Sequence, residues 1–313
     1  MRHPLEAFGP VLMPDAAMEP ILAKPVRAAL LEWLEEIWAK AELEEVGLNA
    51  RMRAIFTGPP GTGKTTLAHH LAARLGLPLL IVRPEKINCR YMNASAEAVG
   101  KLFDMVAAQP EPIFLFFDEF DSIAAKRMGS GVNETIEQDH NVTINALLAA
   151  MDRFEGFIVA ATNLGSRVDE AVWRRFEIQI GIDLPGPHER QRIVERYIAP
   201  FVIPKAALAA LAHSLETASP ALIRSFCEHI KRQIVVGPKA GWPMDRNAVI
   251  ERVIATVKPH PDIGLPRLWS LGLKDKAVPQ FPWPLERDLA AYPVDEPVSA
   301  GGDVVPLRRG RSA

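Results

Sequence analysis

Short runs of almost continuously apolar residues alternate, before Pro185, with longer segments in which apolar residues recur every three or four positions. The apolar runs predict strands at 53–57, 78–82, 112–117, 156–161 and 178–183, and the periodic segments predict helices at 64–75, 95–108 and 139–152. Strands that are apolar on both sides are typical of a sheet covered by helices on both faces. The alternation therefore predicts an α/β fold with a doubly wound, five-stranded parallel sheet.

The segments on either side of this alternation have a different pattern. Residues 1–24 carry scattered prolines without a period and predict an extended arm, whereas 25–46 predict an amphipathic helix that begins at Pro25. Beyond Pro185 no strand pattern recurs, and helices are expected at 188–199, 204–215, 219–235 and 246–257. The expected organisation is an arm (1–24), an αβα domain (25–186), a small all-helical lid domain (187–258) and a proline-rich C-terminal tail (259–313).

The proline-rich tail is not uniformly polar. Its middle, from Leu268 to Pro284, contains two tryptophans and a phenylalanine and is too apolar for a pure linker. We expect this stretch to lie extended over its own or a neighbouring subunit.

Composition narrows the class of protein. The chain has 313 residues, 48% of them apolar, which is enough for one large or two ordinary domains. The formal net charge of −2 argues against a general nucleic-acid-binding surface. Cys89 and Cys227 provide neither a disulfide framework nor zinc-ligand spacing, so a reducing, cytoplasmic location is expected. No apolar run predicts a transmembrane helix or a secretory signal.

The first candidate chemistry lies between the first predicted strand and the helix at 64–75. Glycines in this loop let successive backbone N–H groups curl around an anion, and the helix after the loop points its positive end at the same anion. The Lys64 ammonium would reach the terminal phosphates of a nucleotide, and the Thr65 hydroxyl would bind Mg²⁺. The loop fills the pattern G-x-x-x-x-G-K-[ST], and its expected nucleotide-binding residues are Gly58, Pro59, Pro60, Gly61, Thr62, Gly63, Lys64, Thr65 and Thr66.

Polar side chains follow the third and fourth predicted strands. Asp118 and Glu119 come directly after the strand at 112–117, and Asn163 follows the strand at 156–161. Because the carboxyl ends of parallel strands meet at one end of the sheet, these side chains should lie beside the glycine-rich loop. Asp118 would hold Mg²⁺, Glu119 would polarise the attacking water, and Asn163 would hydrogen-bond the terminal phosphate or that water. The alternative is that both segments are ordinary turns.

With these motifs in this order, the chain resembles the AAA+ ATPases over residues 50–258, in particular the AAA modules of katanin, spastin and FtsH. Residues 58–65 match the family's Walker A motif, 118–123 its Walker B motif and 161–163 its sensor 1. The resemblance implies a P-loop NTPase core with a helical lid, ATP and Mg²⁺ as ligands, hydrolysis of ATP, and assembly into a ring, usually a hexamer. The chain has no H-E-x-x-H motif, so the protease activity of FtsH is not expected here.

The resemblance also assigns two arginines. Residues 169–177 resemble the segment that carries the family's arginine fingers, so Arg174 and Arg175 would enter the neighbouring subunit's site and stabilise charge on the γ-phosphoryl group. The alternative is a solvated helix end. In the lid, Arg224 is a candidate for a phosphate contact, with a solvated arginine as its alternative.

A substrate-gripping element is expected at the centre of the ring. Residues 90–95 occupy the position of the family's first pore loop, where Tyr91 and Met92 would hold an extended polypeptide by apolar contacts. The alternative is a tyrosine packed on its own domain. Residues 128–138 would form a second pore loop.

The expected function is an ATP-hydrolysing ring that remodels, unfolds or threads a protein substrate through its central pore. Its expected partners are further copies of the chain, a protein substrate, and a separate peptidase or adaptor chain, with no membrane partner. A ring that acts on nucleic acid is one alternative, against which the near-neutral charge argues. A nucleotide-dependent switch or scaffold is another, against which the presence of Glu119, Asn163, Arg174 and Arg175 argues.

Overall fold

The computed structural model describes residues 3–88, 94–125 and 134–292. Its strands are β1 (Val11–Leu12), β2 (Arg53–Thr57), β3 (Leu79–Val82), β4 (Phe114–Phe117), β5 (Ile158–Thr162) and β6 (Ile178–Gly181). They form one sheet in the order β1-β3-β4-β5-β2-β6. The strands from β2 to β6 run parallel, as the alternation of strands and helices predicted. The carboxyl ends of β2, β4 and β5 therefore meet at one end of the sheet.

The sheet has one strand more than the five expected. β1 belongs to the arm at 1–24 and pairs antiparallel with β3, with Val11 opposite Leu80. This pairing satisfies backbone groups on the outer edge of β3, and the preceding Leu5 and Phe8 are buried in the core. The extended arm predicted at 1–24 thus contributes a strand, which the sequence did not reveal because two residues are too few to show a period.

Helices cover both faces of the sheet. They are α1 (Lys24–Trp38), α2 (Lys40–Glu45), α3 (Lys64–Arg74), α4 (Pro84–Ile87), α5 (Ala94–Ala107), α6 (Glu134–Arg153) and α7 (Glu170–Trp173). Ile55 packs in the cluster that includes α5 and α6, whereas its neighbours Ala54 and Phe56 pack in the cluster that includes α1 and α3. Because successive strand side chains point to opposite faces, this double burial accounts for the continuous apolar runs. Among the described residues, no helix is long and apolar enough to cross a membrane.

The single helix expected at 25–46 is two helices. The chain leaves helical geometry at Ala39, where ψ is 24°, and α2 begins at the next residue. The second helix buries none of its residues, in contrast to α1.

The lid consists of α8 (Pro187–Ile198), α9 (Lys205–Ser214), α10 (Pro220–Val236) and α11 (Arg246–Thr256), as expected, and has its own apolar core. The segment beyond the lid was expected to be extended, but it is helical. It forms α12 (Arg267–Leu271) and α13 (Ala277–Gln280), and Leu268 and Phe281 are buried in the lid core. At the start of α13 the Asp275 carboxylate accepts the Ala277 N–H at 2.8 Å, which satisfies one of the free N–H groups of this helix end.

Candidate functional site

The glycine-rich loop connects β2 to α3 through backbone geometry that side chains would obstruct. Gly58 has φ 148°, and a Cβ there would lie 2.1 Å from the carbonyl oxygen of Ile182. Gly63 has φ 95° and immediately precedes α3, so the free N–H groups of this helix end open toward the loop. Thr62 closes the turn by donating its hydroxyl to the carbonyl of Pro59 at 2.9 Å. This arrangement is suited to an anion.

Lys64 brings the loop and the end of β5 together. Its ammonium donates to the carbonyls of Gly58 and Pro59 at 2.8 and 2.9 Å and to Oδ1 of Asn163 at 2.6 Å. Burial lowers the pKa of Lys64, and the negative charge of Asp118 partly opposes this shift. An anion in the cleft would favour the charged form of the ammonium. The predicted proximity of Lys64 and Asn163 is present in the structure.

Thr65 and the acidic pair lie on the other side of the loop. The Thr65 hydroxyl donates to Oδ2 of Asp118 at 2.9 Å, and the Glu119 N–H donates to Oδ1 of the same carboxylate at 3.0 Å. A hydroxyl and a carboxylate are hard oxygen donors of the kind that Mg²⁺ prefers, so the donor set fits this ion. Glu119 adopts a left-handed conformation with φ 48°, which turns the chain sharply after β4.

The lid forms the opposite wall of a cleft of about 410 Å³ above the loop. The Ala221 N–H donates to the Gly61 carbonyl at 3.1 Å, and a Cβ at Gly61 would lie 2.9 Å from that of Ala221. The cleft is lined by Pro60, Gly61, Gly63, Lys64, Thr65, Thr66, Asp118, Glu119, Asn163, Tyr197, Pro220, Ala221 and Arg224.

Two lid side chains extend this wall. Arg224 lies at the cleft, donates to Glu228 at 2.7 Å and stacks over the Tyr197 ring at 5.5 Å. The hydrogen bond from Arg224 lowers the pKa of Glu228. Tyr197 was not predicted from the sequence, because a single tyrosine on the amphipathic α8 carries no motif.

The two candidate fingers lie at the C-terminal end of α7, where Arg174 is the C-cap residue and Arg175 follows it. Asp169 caps that helix by accepting the N–H groups of Ala171 and Val172 at 2.9 and 3.3 Å. Arg174 is exposed and contacts Glu170 on its own helix. Arg175 donates to both carboxylate oxygens of Asp152 at 3.2 Å, and this pairing lowers the pKa of Asp152. Neither arginine is among the residues that line the chain's own cleft.

The two candidate pore loops lie largely outside the described residues. Tyr91 and Met92 lie outside the described residues, as does 128–133 of the expected second pore loop. The helix α6 begins at Glu134 and takes up the remainder of that segment.

One contact beside the cleft was not anticipated. Thr162, the last residue of β5, donates its hydroxyl to Oδ1 of Asp121 at 2.5 Å. Asp121 follows Glu119 by two positions, and the D-E-x-D spacing was the available sequence signal.

A comparison with protein families places this site in a known context. The family model "ATPase family associated with various cellular activities (AAA)" matches residues 54–184. The matched range contains the loop, the acidic pair after β4, the polar end of β5 and α7.

Curated proteins with similar sequences include several ATPases. "Uncharacterized AAA family ATPase y4kL" of Sinorhizobium fredii is 38% identical over 158 residues, which cover 50% of this chain and 46% of that protein. "Putative ribosome biogenesis ATPase nvl" of Dictyostelium discoideum is 37% identical over 161 residues, with 49% and 18% covered. The "ATP-dependent zinc metalloprotease FtsH" of Mesoplasma florum is 34% identical over 178 residues, with 54% and 26% covered. The chain thus spans less than half the length of each of these relatives.

Proposed function

Residues 54–184 are an AAA-family ATPase domain, as the motifs indicated, and on that premise we propose that the protein hydrolyses ATP to ADP and phosphate in the cleft below the lid. The observation that carries the proposal is the convergence of three segments at one end of the sheet. There Lys64 bonds to Asn163, and Thr65 bonds to Asp118. An ammonium, a hydroxyl–carboxylate pair and an amide are the groups that phosphoryl transfer requires.

Each group has a distinct part in the proposed reaction. The backbone of 58–66 holds the phosphates, and Lys64 exchanges its contacts with loop carbonyls for phosphate oxygens. Asn163, released from Lys64, orients the γ-phosphate or the attacking water. The Glu119 carboxylate accepts a hydrogen bond from that water and takes its proton as the water attacks, which raises the nucleophilicity of the water oxygen.

Thr65 and Asp118 are the proposed holders of Mg²⁺. When bound, the ion would neutralise charge that develops on the phosphate oxygens. Asp118 accepts hydrogen bonds from the Thr65 hydroxyl and the Glu119 N–H, which orient its carboxylate toward the loop.

The proposed catalytic unit needs a second copy of the chain. Arg174 and Arg175 act on a neighbour's site in the proposal, because they do not line their own. Arg174 is the better placed of the two to leave its contact, since an exposed i,i+4 ion pair contributes little stability. Arg175 is held by Asp152 and by the Ala171 carbonyl at 3.0 Å, and in this arrangement it also fixes α7 to α6. A closed ring, proposed as a hexamer, satisfies this requirement for every subunit.

The proposed work of the ring is the remodelling or threading of a protein substrate. Relatives carry names that refer to proteolysis, such as FtsH, and to ribosome biogenesis, such as nvl. For this chain a separate peptidase or adaptor is proposed as partner. The domain division proposed is the arm at 1–24, the core at 25–186 and the lid from 187, with 259–292 added to the lid because α12 and α13 share its core.

Nucleotide affinity provides the first test. Lys64→Ala is expected to weaken ATP binding about 10- to 100-fold, because a hydrogen bond to a charged group contributes about 1.5–3 kcal/mol. The variant should fold, since burial already disfavours the Lys64 ammonium. Titration with a fluorescent ATP analogue measures the change. Lys40→Ala, which removes an exposed ammonium from α2, is the matched control and should bind normally. Equal affinity of both variants would contradict the phosphate-binding role.

Threading is tested at Tyr91. Tyr91→Ala is expected to leave basal ATP hydrolysis intact and to abolish its stimulation by a protein substrate, because the apolar grip on the polypeptide is lost. Tyr91→Phe, which keeps the ring, should retain stimulation. Hydrolysis is measured with and without a client captured on an ATP-loaded, hydrolysis-deficient variant. Normal stimulation of Tyr91→Ala would end the pore-loop assignment.

A further inference from the structure

The Thr162 hydroxyl makes two hydrogen bonds at the end of β5. The residue is 1% exposed, and its hydroxyl donates to Asp121 at 2.5 Å while accepting the Leu164 N–H at 2.9 Å. The single hydroxyl proton is therefore committed to Asp121. The hydrogen bond from the Leu164 N–H to the Thr162 hydroxyl fixes the turn that contains Asn163.

Asp121 is tied in the same way to the acidic pair. It lies in the short 3₁₀ turn Phe120–Ser122, whose first residue directly follows Glu119. Glu119 is in the left-handed region at φ 48°, a conformation that is unfavourable for residues other than glycine. Such a turn persists only where surrounding contacts hold it. The bond to Thr162 joins this turn to the end of the adjacent strand.

The negative charge of Asp121 favours the charged form of Lys64, but its carboxylate does not reach the phosphate site. It is a third carboxylate in the segment that carries Asp118 and Glu119, and a negative charge does not itself attract polyanionic phosphates. Its Oδ1 is engaged by Thr162, and it does not line the cleft. The Thr162–Asp121 hydrogen bond therefore connects the end of β5 to the turn after β4.

We propose that Thr162 and Asp121 are positioning residues, whose hydrogen bond sets the distance between Glu119 and Asn163 and so holds the attacking water between carboxylate and phosphate. The inference rests on the proposed ATP hydrolysis at this cleft. Neither residue contacts the nucleotide in this arrangement, so both act through the residues beside them.

The test removes the bond while leaving the phosphate cradle intact. Thr162→Val is expected to lower kcat for ATP about 10- to 100-fold, because small misplacements of reacting groups cost up to about that factor. KM and the dissociation constant for a fluorescent nucleotide should stay near the wild-type values, since Lys64 and the loop are unchanged. Thr162→Ser restores the hydroxyl and should recover most of kcat. Asp121→Asn keeps an acceptor oxygen and should lose less activity than Asp121→Ala.

The lid supplies a matched control. The Ser214 hydroxyl donates to Asp275 at the same 2.5 Å in a buried setting that lies outside the cleft. Ser214→Ala should lower Tm and leave kcat unchanged, whereas Thr162→Val should lower kcat. The double variant Thr162→Val/Asp121→Ala should be no worse than the poorer single variant, because both remove one contact.

Several results would overturn the inference. One is wild-type kcat in Thr162→Val, and another is a loss of nucleotide affinity that matches the loss of kcat. If Thr162→Val does not fold, equal kcat of Asp121→Asn and Asp121→Ala would overturn it instead. Failure of the ATPase proposal is distinct, because it would appear as no turnover in the wild-type protein.

Discussion

Arg174→Ala is expected to lower ATP turnover by about 10³- to 10⁵-fold, the contribution of an arginine that reaches the transferring phosphoryl group. The side chain of Arg174 is 72% exposed and holds only an ion pair with Glu170 on its own helix. It can therefore move to a neighbour's phosphate at little energetic cost. Nucleotide affinity should be retained, because Arg174 does not line its own cleft. Steady-state hydrolysis and nucleotide titration, on the same assembled sample, separate the two effects.

If each active site is built from two subunits, mixing two inactive variants should restore activity, which a simple loss of activity cannot show. In a mixture of Arg174→Ala and Glu119→Gln subunits, some interfaces combine an intact Glu119 with an intact Arg174. Turnover should therefore rise above that of either variant alone and depend on their ratio. Arg232→Ala is the control, because Arg232 is also an exposed arginine in an i,i+4 pair, with Glu228. Full activity of Arg174→Ala, or no rescue at any ratio, would refute action across the interface.

Residues that carry a local pattern could be predicted from the sequence. The glycines, lysine and threonine of the loop from Gly58 to Thr66 have the spacing of a known motif. Each apolar run that is followed by a polar pair indicates the end of a strand. The parallel direction of the strands follows from the alternation of strands and helices, so Asn163 could be expected at the same end of the sheet as Lys64, although 99 residues separate them. These predictions succeed because the same physics, burial of both sheet faces, determines both the pattern and the topology.

Contacts that depend on three-dimensional packing could not be predicted in this way. β1 is two residues long and has no period, yet it finds the open edge of β3. Tyr197 reaches the cleft because α8 runs beside α10, a relation that no motif expresses. Likewise, the Thr162–Asp121 hydrogen bond depends on the sharp turn at Glu119. The residue type of Glu119 does not indicate that its φ is 48°.

Glu119→Gln is expected to reduce turnover by about 10²- to 10⁴-fold, the range typical of a positioned general base. The carboxamide has nearly the same size as the carboxylate but cannot accept a proton from the attacking water. ATP binding should persist, because the contact that Glu119 makes within the site is through its backbone N–H, which donates to Asp118. The variant should therefore accumulate in its ATP-bound form, and light scattering should show a stable assembly.

That trapped form is also the means to identify the client protein. Because the expected cycle stops before hydrolysis, a substrate that has entered the pore should stay bound and be recovered with the Glu119→Gln assembly in ATP, but not in ADP. Glu195→Gln, which changes a carboxylate on the exposed surface of the lid, should neither stop turnover nor retain a client. Normal hydrolysis by Glu119→Gln would remove the assignment of this carboxylate as base. Loss of ATP binding would show instead that the substitution disturbs the Asp118 side of the site, since the turn at Glu119 and the Thr65–Asp118 bond are held by adjacent residues.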